Sequence, residues 1–179
     1  MVKIKKSVRS FILPLALLTF ALLPFFRKAE EPRVSAFFSS EWDCSKEIIK
    51  RIDGAKGEIA FSIYIFSDET ICKSLLNAVE RGVRVRGVVD KSTIRKKSHI
   101  VQKLQKGGVE LKTIKKEKGI VHHKFIVVDS KIVITGSYNW TFFAKTFNYE
   151  NIVVIESEKI AQKYLKEYDR ILWGIYGDY

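Results

Sequence analysis

The chain has 179 residues, room for one domain with a real hydrophobic core, and its apolar and charged fractions of 46% and 29% exclude a disordered or low-complexity chain. Its formal net charge of +12 is unusual; it points to a polyanionic partner, nucleic acid or an anionic membrane, unless the lysines form a solvated face. The two cysteines, Cys44 and Cys72, lack Cys-x-x-Cys spacing, which excludes a cysteine metal centre and leaves either one disulfide or two buried thiols.

Residues 1–28 hold Lys3, Lys5, Lys6, Arg9, Arg27 and Lys28 and no acid. Within them, 11–26 is an uncharged apolar run broken only by Pro14, Thr19 and Pro24. As a helix this run spans about 24 Å, short of a hydrocarbon core of about 30 Å. It reads as a signal peptide or a minimal membrane anchor. No small-x-small cleavage site is present, and the run ends in Phe25, Phe26, Arg27 and Lys28, which favours an uncleaved anchor. Basic charge is denser before the run than after it, where Glu30 and Glu31 follow. The positive-inside bias then expects the domain on the non-cytoplasmic side, the periplasm in a bacterium. Residues 29–33, with Pro32, read as a linker, and 34–179 as one domain.

In the body, β and α signals alternate. A strand is expected at 34–38 and a helix at 44–52, capped by Ser39, Ser40 or Asp43. Alternation of Ile59, Phe61, Ile63 and Ile65 predicts a strand over 58–66. An amphipathic helix follows at 68–81, with Ile71, Leu75, Leu76 and Val79 inward and Gly82 as its stop. Further elements are a strand at 83–89, a helix at 98–106 and a strand at 109–114. Strands at 123–128 and 131–135 are joined tightly around Asp129 and Ser130. A strand at 151–155 and a closing helix at 158–173 complete the chain; Ile160, Tyr164, Tyr168, Ile171 and Leu172 face inward. This order predicts an α/β fold, a mixed sheet with helices on both faces. Residues 91–118 carry ten basic residues against Glu110 and Glu117. Lys96, Lys97, Lys115 and Lys116 are the candidates there for binding a phosphate backbone. His99, in the same segment, reads as a surface or phosphate-contacting residue.

The informative stretch is H-x-K-x4-D-x6-G-S-x-N, running from His122 through Lys124, Asp129, Gly136 and Ser137 to Asn139. Residues two apart in a strand share a face, so His122 and Lys124 present a nucleophile or acid beside a fixed cation. Ser137 and Asn139 offer a hydroxyl and an amide. Lys, Ser and Asn donors suit the oxygens of a phosphate diester as charge builds on them. Imidazole is a competent nucleophile near neutral pH, and a second imidazolium can protonate a leaving oxygen. Asp129 belongs to the motif and so to the candidate catalytic set, yet its strand parity is opposite to that of His122. Its place at the hairpin turn favours a structural role. Glu150 is the best candidate carboxylate to orient the imidazole. Adjacent histidines diverge from a strand and no third ligand has suitable spacing, so no metal site is expected from His122, His123 and Asp129. Trp140, Phe142, Phe143, Phe147 and Tyr149 read as core or interface aromatics, with base stacking or lipid contact as the alternative.

This pattern resembles the phospholipase D superfamily across about 34–173. It is most similar to the short one-motif members, the bacterial Nuc endonucleases and the mitochondrial phospholipase D/Zucchini nucleases. His99 is followed by Val101 where a lysine is required, so this chain also has one motif. The resemblance implies a homodimer that joins two motifs in one active site. One His122 forms a phosphohistidine, the other protonates the leaving group, and Lys124 and Asn139 of both chains bind phosphate with Ser137 beside them. It implies further that Glu150, in Asn148–Asn151, pairs with the histidine, and that no metal or other cofactor takes part. The cysteine/histidine zinc-finger insertion of the Zucchini group is missing, which favours a Nuc-like protein. The expected activity is a metal-independent, non-specific endonuclease on DNA, with RNA as a further substrate. The alternatives are a lipid phosphodiesterase acting on a phospholipid such as cardiolipin, and an inactive binding or tethering protein.

Overall fold

The computed structural model describes residues 31–116 and 119–174, and within 94–98 only the backbone. The apolar run of 11–26 and its reading as an anchor lie outside the described residues. In chain order the elements are β1 (Arg33–Phe38), α1 (Cys44–Gly54), β2 (Glu58–Ile63), α2 (Glu69–Glu80), β3 (Arg84–Asp90), α3 (Lys91–Lys106), β4 (Glu110–Ile114), β5 (Lys124–Val128), β6 (Ile132–Gly136), α4 (Phe142–Thr146), β7 (Asn151–Glu156) and α5 (Glu158–Trp173).

The strands form one mixed sheet in the order β1-β7-β6-β5-β2-β3-β4. The pairs β2–β3 and β3–β4 are parallel and the other neighbours antiparallel. Alternation along β2 divides the core. Ile59, Phe61 and Ile63 pack with apolar residues of α1 to α4, including Ile48, Leu75, Leu104 and Ala144. Ala60 packs on the other face with Ala161, Leu165, Tyr168 and Ile171 of α5. The expected α/β sandwich is therefore present. Each buried Ile or Phe contributes roughly 1.5–3 kcal/mol by leaving water.

The helices start where short polar side chains hold free amides. Asp43, Asp68, Asp90, Thr141 and Ser157 cap α1 to α5 in turn, each accepting from a backbone N–H two or three residues on. Gly82 closes α2 with φ +85°, a conformation that disfavours a side chain. Cys44 and Cys72 are free, buried thiols. Burial raises both, Cys72 to about 11, so they sit in the core as small apolar groups.

Three elements depart from the sequence expectation. β2 ends at Ile63, not at 66: the Tyr64 N–H still bonds the His123 carbonyl at 2.9 Å, but beyond it the chain changes partners, with the Ile65 carbonyl accepting the Trp140 N–H and Phe66 bridging to Trp140. α3 begins at Lys91, not at 98, because the Asp90 carboxylate caps it through the Ser92 N–H at 2.8 Å. Its first turns are too basic and polar to show a helical apolar period. α4 is an added turn of helix, capped by Thr141 and pinned by buried Ala144.

Candidate active site

Register brings the motif residues to one edge of the sheet. Lys124 opens β5 opposite Ile63, the last residue of β2. Next to it Thr135 pairs with Phe125, and Gly136 ends β6 opposite Ile152 near the start of β7. Ser137 and Asn139 leave β6 at this edge, and Glu150 enters β7 there. β3 ends at the same edge, so α3 and the segment after β4 also depart from it.

His122 and His123 precede β5, which starts at Lys124 rather than at 123. They still diverge. The His122 ring lies against Tyr64, centroids 4.8 Å apart with planes at 56°. His123 turns to the α5 side, 5.6 Å from Phe125. Desolvation there holds His123 below the ordinary histidine value, against the pull of Glu167. The His122 imidazole is exposed. Lys124 Nζ donates to the His122 carbonyl at 2.8 Å and stands 5.2 Å from the centre of the Tyr64 ring. Burial lowers the Lys124 ammonium, and the negative charge of Glu150 opposes that shift.

Ser137, Glu150 and Asn139 are tied into the loops around the site. The Ser137 hydroxyl donates to Glu150 Oε2, and its oxygen accepts the Asn151 N–H at 3.1 Å. Asn148 Nδ2 donates to Glu150 Oε1 at 2.8 Å, and the Glu150 N–H donates to Ser39 Oγ at 2.7 Å. Glu150, 9% exposed, is thus held by Ser137 and Asn148 within the chain, where the resemblance implied a pairing with histidine. Ser137 likewise gives its proton to Glu150. Asn139 accepts the Ile65 N–H on Oδ1 at 3.3 Å, which leaves its amide nitrogen as the donor.

Gly136 is the residue of the motif that sequence reasoning passed over. A Cβ there would stand 2.1 Å from the Asn151 carbonyl oxygen and 2.9 Å from Ile152 Cα. Only glycine lets β6 approach β7 closely enough to bring Ser137 to Glu150.

Asp129, counted in the candidate catalytic set, lies away from the other motif residues, in line with the structural role its parity favoured. It lies five residues beyond Lys124, about 17 Å along the strand at the opposite edge of the sheet. Its carboxylate accepts the backbone N–H groups of Lys56, Gly57 and Glu58 at 3.0, 2.8 and 3.1 Å. Burial pushes this carboxyl up, but those amides outweigh it and hold the group below its ordinary value. Asp129 and Ser130 have φ of +51° and +52°, the signature of a tight type I′ hairpin.

Of the candidate binding lysines, Lys115 is exposed and Lys116 half-buried just after β4, at the site edge. Lys96 and Lys97 lie on the stretch of α3 described by its backbone. His99 Nε2 lies 2.8 Å from Glu69 Oε1, beside the surface ion pair that Glu69 forms with Lys103 at 2.9 Å. Trp140 is buried. Phe142, Phe143, Phe147 and Tyr149 are 63–92% exposed beside Glu150. Among the described residues no group of three or more His, Cys, Asp or Glu side chains could hold a metal ion.

Comparison with known proteins follows the same lines. Residues 48–173 match the family described as "Cardiolipin synthase, PLD-like domain". A phospholipase D of Rickettsia conorii is 38% identical over 136 residues, 76% of this chain and 68% of that protein. The mitochondrial cardiolipin hydrolase of Canis lupus familiaris is 31% identical over 69% of this chain, but the match spans only 48% of that protein. The crystal structure of Nuc, a phospholipase D family member from Salmonella typhimurium, superposes with a TM-score of 0.73 at 34% identity. It covers 83% of this chain and 99% of Nuc.

Proposed function

The chain belongs to the phospholipase D-like family of phosphodiesterases, and from that premise we propose that it is a metal-independent, non-specific endonuclease working through a phosphohistidine in a homodimer. The observation that carries this reading is the meeting of exposed His122, Lys124, Asn139 and the Ser137–Glu150 pair at one edge of the sheet. A ring nitrogen of His122 attacks phosphorus. As the P–N bond forms, the P–O bond to the leaving group breaks, and Lys124 and the Asn139 amide stabilise the charge on the phosphoryl oxygens.

The leaving oxygen needs a proton, and the other histidines of the chain point elsewhere: His99 to Glu69, His123 to Phe125. This supports a two-fold assembly in which His122 of the partner subunit is the acid. That imidazole, now neutral, deprotonates a water. The water attacks phosphorus, the P–N bond breaks, and both histidines return to their starting states. The exposed aromatics of α4, next to the site, are suited to such an interface.

Likeness to Nuc over nearly all of that chain and the basic segment 91–118 support nucleic acid as the substrate. The relatives named phospholipase D and cardiolipin hydrolase favour a second reading, a phospholipid diester at the same site. The test offers plasmid, single-stranded DNA, RNA and cardiolipin vesicles to the purified protein in excess EDTA. Cleavage of the nucleic acids is expected. Turnover of cardiolipin alone would establish the lipid reading, and activity lost in EDTA but restored by a divalent ion would overturn the histidine mechanism. The same proposal holds the N-terminal run as an anchor with the domain outside the cytoplasm. External protease should then digest the domain on spheroplasts, whereas protection would reverse the topology.

A further inference from the structure

The side chain that joins His122 to Lys124 belongs to neither half of the motif. Tyr64 stands just past β2, half-buried, with the His122 ring 4.8 Å from its own and the Lys124 ammonium 5.2 Å from its centre. A nucleophilic imidazole needs something to fix its plane. Within the chain no hydrogen bond from a described residue does so, because Glu150 is engaged by Ser137 and Asn148. The contact that remains is the face of Tyr64.

Tyr64 is itself held firmly. Its N–H bonds the His123 carbonyl at 2.9 Å, and its carbonyl accepts from Thr93 Oγ1 at 2.9 Å. Thr93 is fully buried in the first turn of α3. Asp90, which caps that helix, also accepts the Val121 N–H at 2.9 Å, immediately before His122. The start of α3 therefore brackets the backbone on both sides of the aromatic contact. An aromatic ring attracts cations, and here one ring lies near both the lysine and the imidazole, which becomes positive as it attacks phosphorus.

We propose that Tyr64 is a positioning residue, an aromatic platform that fixes the imidazole of His122 and the ammonium of Lys124 relative to each other. The proposal rests on the functional reading of those two residues. It requires the ring and not the hydroxyl.

The test measures the full chain carrying Tyr64→Phe, Tyr64→Leu or Tyr64→Met on a small chromogenic phosphodiester, with circular dichroism to check folding. A misplaced nucleophile costs on the order of 10²-fold. Leu and Met should lower kcat by about that factor and leave KM within about threefold, whereas Phe should stay within about threefold of the parent in both. In NMR spectra the His122 ring protons should lose their ring-current shift in the Leu and Met variants and keep it in Phe. If Tyr64→Leu does not fold, Tyr64→Met carries the same expectation. Full activity in a folded Leu or Met variant overturns the proposal, as does a Phe variant as impaired as Leu, which would assign the role to the hydroxyl. Loss in His122→Ala with full activity in Tyr64→Leu brings down this proposal alone. Activity that survives His122→Ala brings down the functional reading as well.

Discussion

Asp129→Ala should lower stability and spare the chemistry. The substitution removes one carboxylate that holds three backbone amides between α1 and β2, at 3.0, 2.8 and 3.1 Å. Hydrogen bonds to a charged group contribute about 1.5–3 kcal/mol each when buried. The Lys56 and Gly57 amides are exposed and regain water, so the net loss is nearer 2–3 kcal/mol than the full sum. A residue at φ +51° is also harder for Ala than for Asp, which adds roughly 0.5–1 kcal/mol. At about 2–4 °C per kcal/mol for a domain of this size, Tm should fall by roughly 5–16 °C. Asp129→Asn, which tolerates the positive φ and keeps one acceptor oxygen, should lose less than half of that. The pH dependence has a definite sign. The folded carboxyl lies below its ordinary value, so its contribution is present above the unfolded pKa of about 3.9 and is lost as pH falls through the folded one. Thermal melts of parent and Ala variant should therefore differ most near neutrality and converge in strong acid. Turnover per folded molecule at 20 °C should match the parent. An Ala variant that melts like the parent yet is inactive would refute the structural assignment and return Asp129 to the active site.

Three further outcomes follow from the geometry. His122→Ala and Lys124→Ala should abolish measurable turnover of a chromogenic phosphodiester while leaving the circular dichroism and Tm near those of the parent, since His122 is exposed and Lys124 stands at the end of its strand. Gly136→Ala should lower stability by about 1–3 kcal/mol and reduce kcat, because its Cβ meets the Asn151 carbonyl at 2.1 Å and separates β6 from β7 where Ser137 meets Glu150; an unchanged melt and rate would show that the strands need no such approach. Reversal of Lys96, Lys97, Lys115 and Lys116 to Glu should weaken nucleic-acid binding and flatten its log–log salt dependence by roughly one unit for each phosphate no longer neutralised, with turnover of the small diester nearly unchanged; equal impairment on both substrates would move those lysines into the chemistry.

How much of this was legible depended on the range of the forces involved. The strands could be placed because β2 alternates apolar residues and β5 and β6 are short apolar runs around a turn, while α5 keeps its 3.6-residue period, all local signals. The start of α3 was hidden because Asp90 acts at once as the end of β3, the helix cap and the anchor for Val121, and the last of these is a contact across 31 residues. Asp129 was readable from strand parity, since parity alone points it away from His122. Glu150 was located correctly at the mouth of β7, but its partners could not be read, because Ser137 and Asn148 reach it only after β6 and β7 pair. Tyr64 carries no motif at all. Its role arises from the antiparallel register of β2 against β5, which sets Ile63 opposite Lys124 and so brings the next residue to His122. Gly136 stood in the sequence only as a member of the motif, and its reason, a close backbone approach, appears once β6 and β7 pair.

The central claim, that His122 is the nucleophile, is tested most directly by trapping the intermediate. The protein would be mixed with a labelled phosphodiester in excess EDTA, quenched in alkali within the first turnovers and digested for mass spectrometry. The expected product is a phosphoramidate joining His122 to the retained half of the substrate, with no adduct in the His122→Ala protein. Rapid turnover under the same conditions with the label on another residue, or on none, would contradict it.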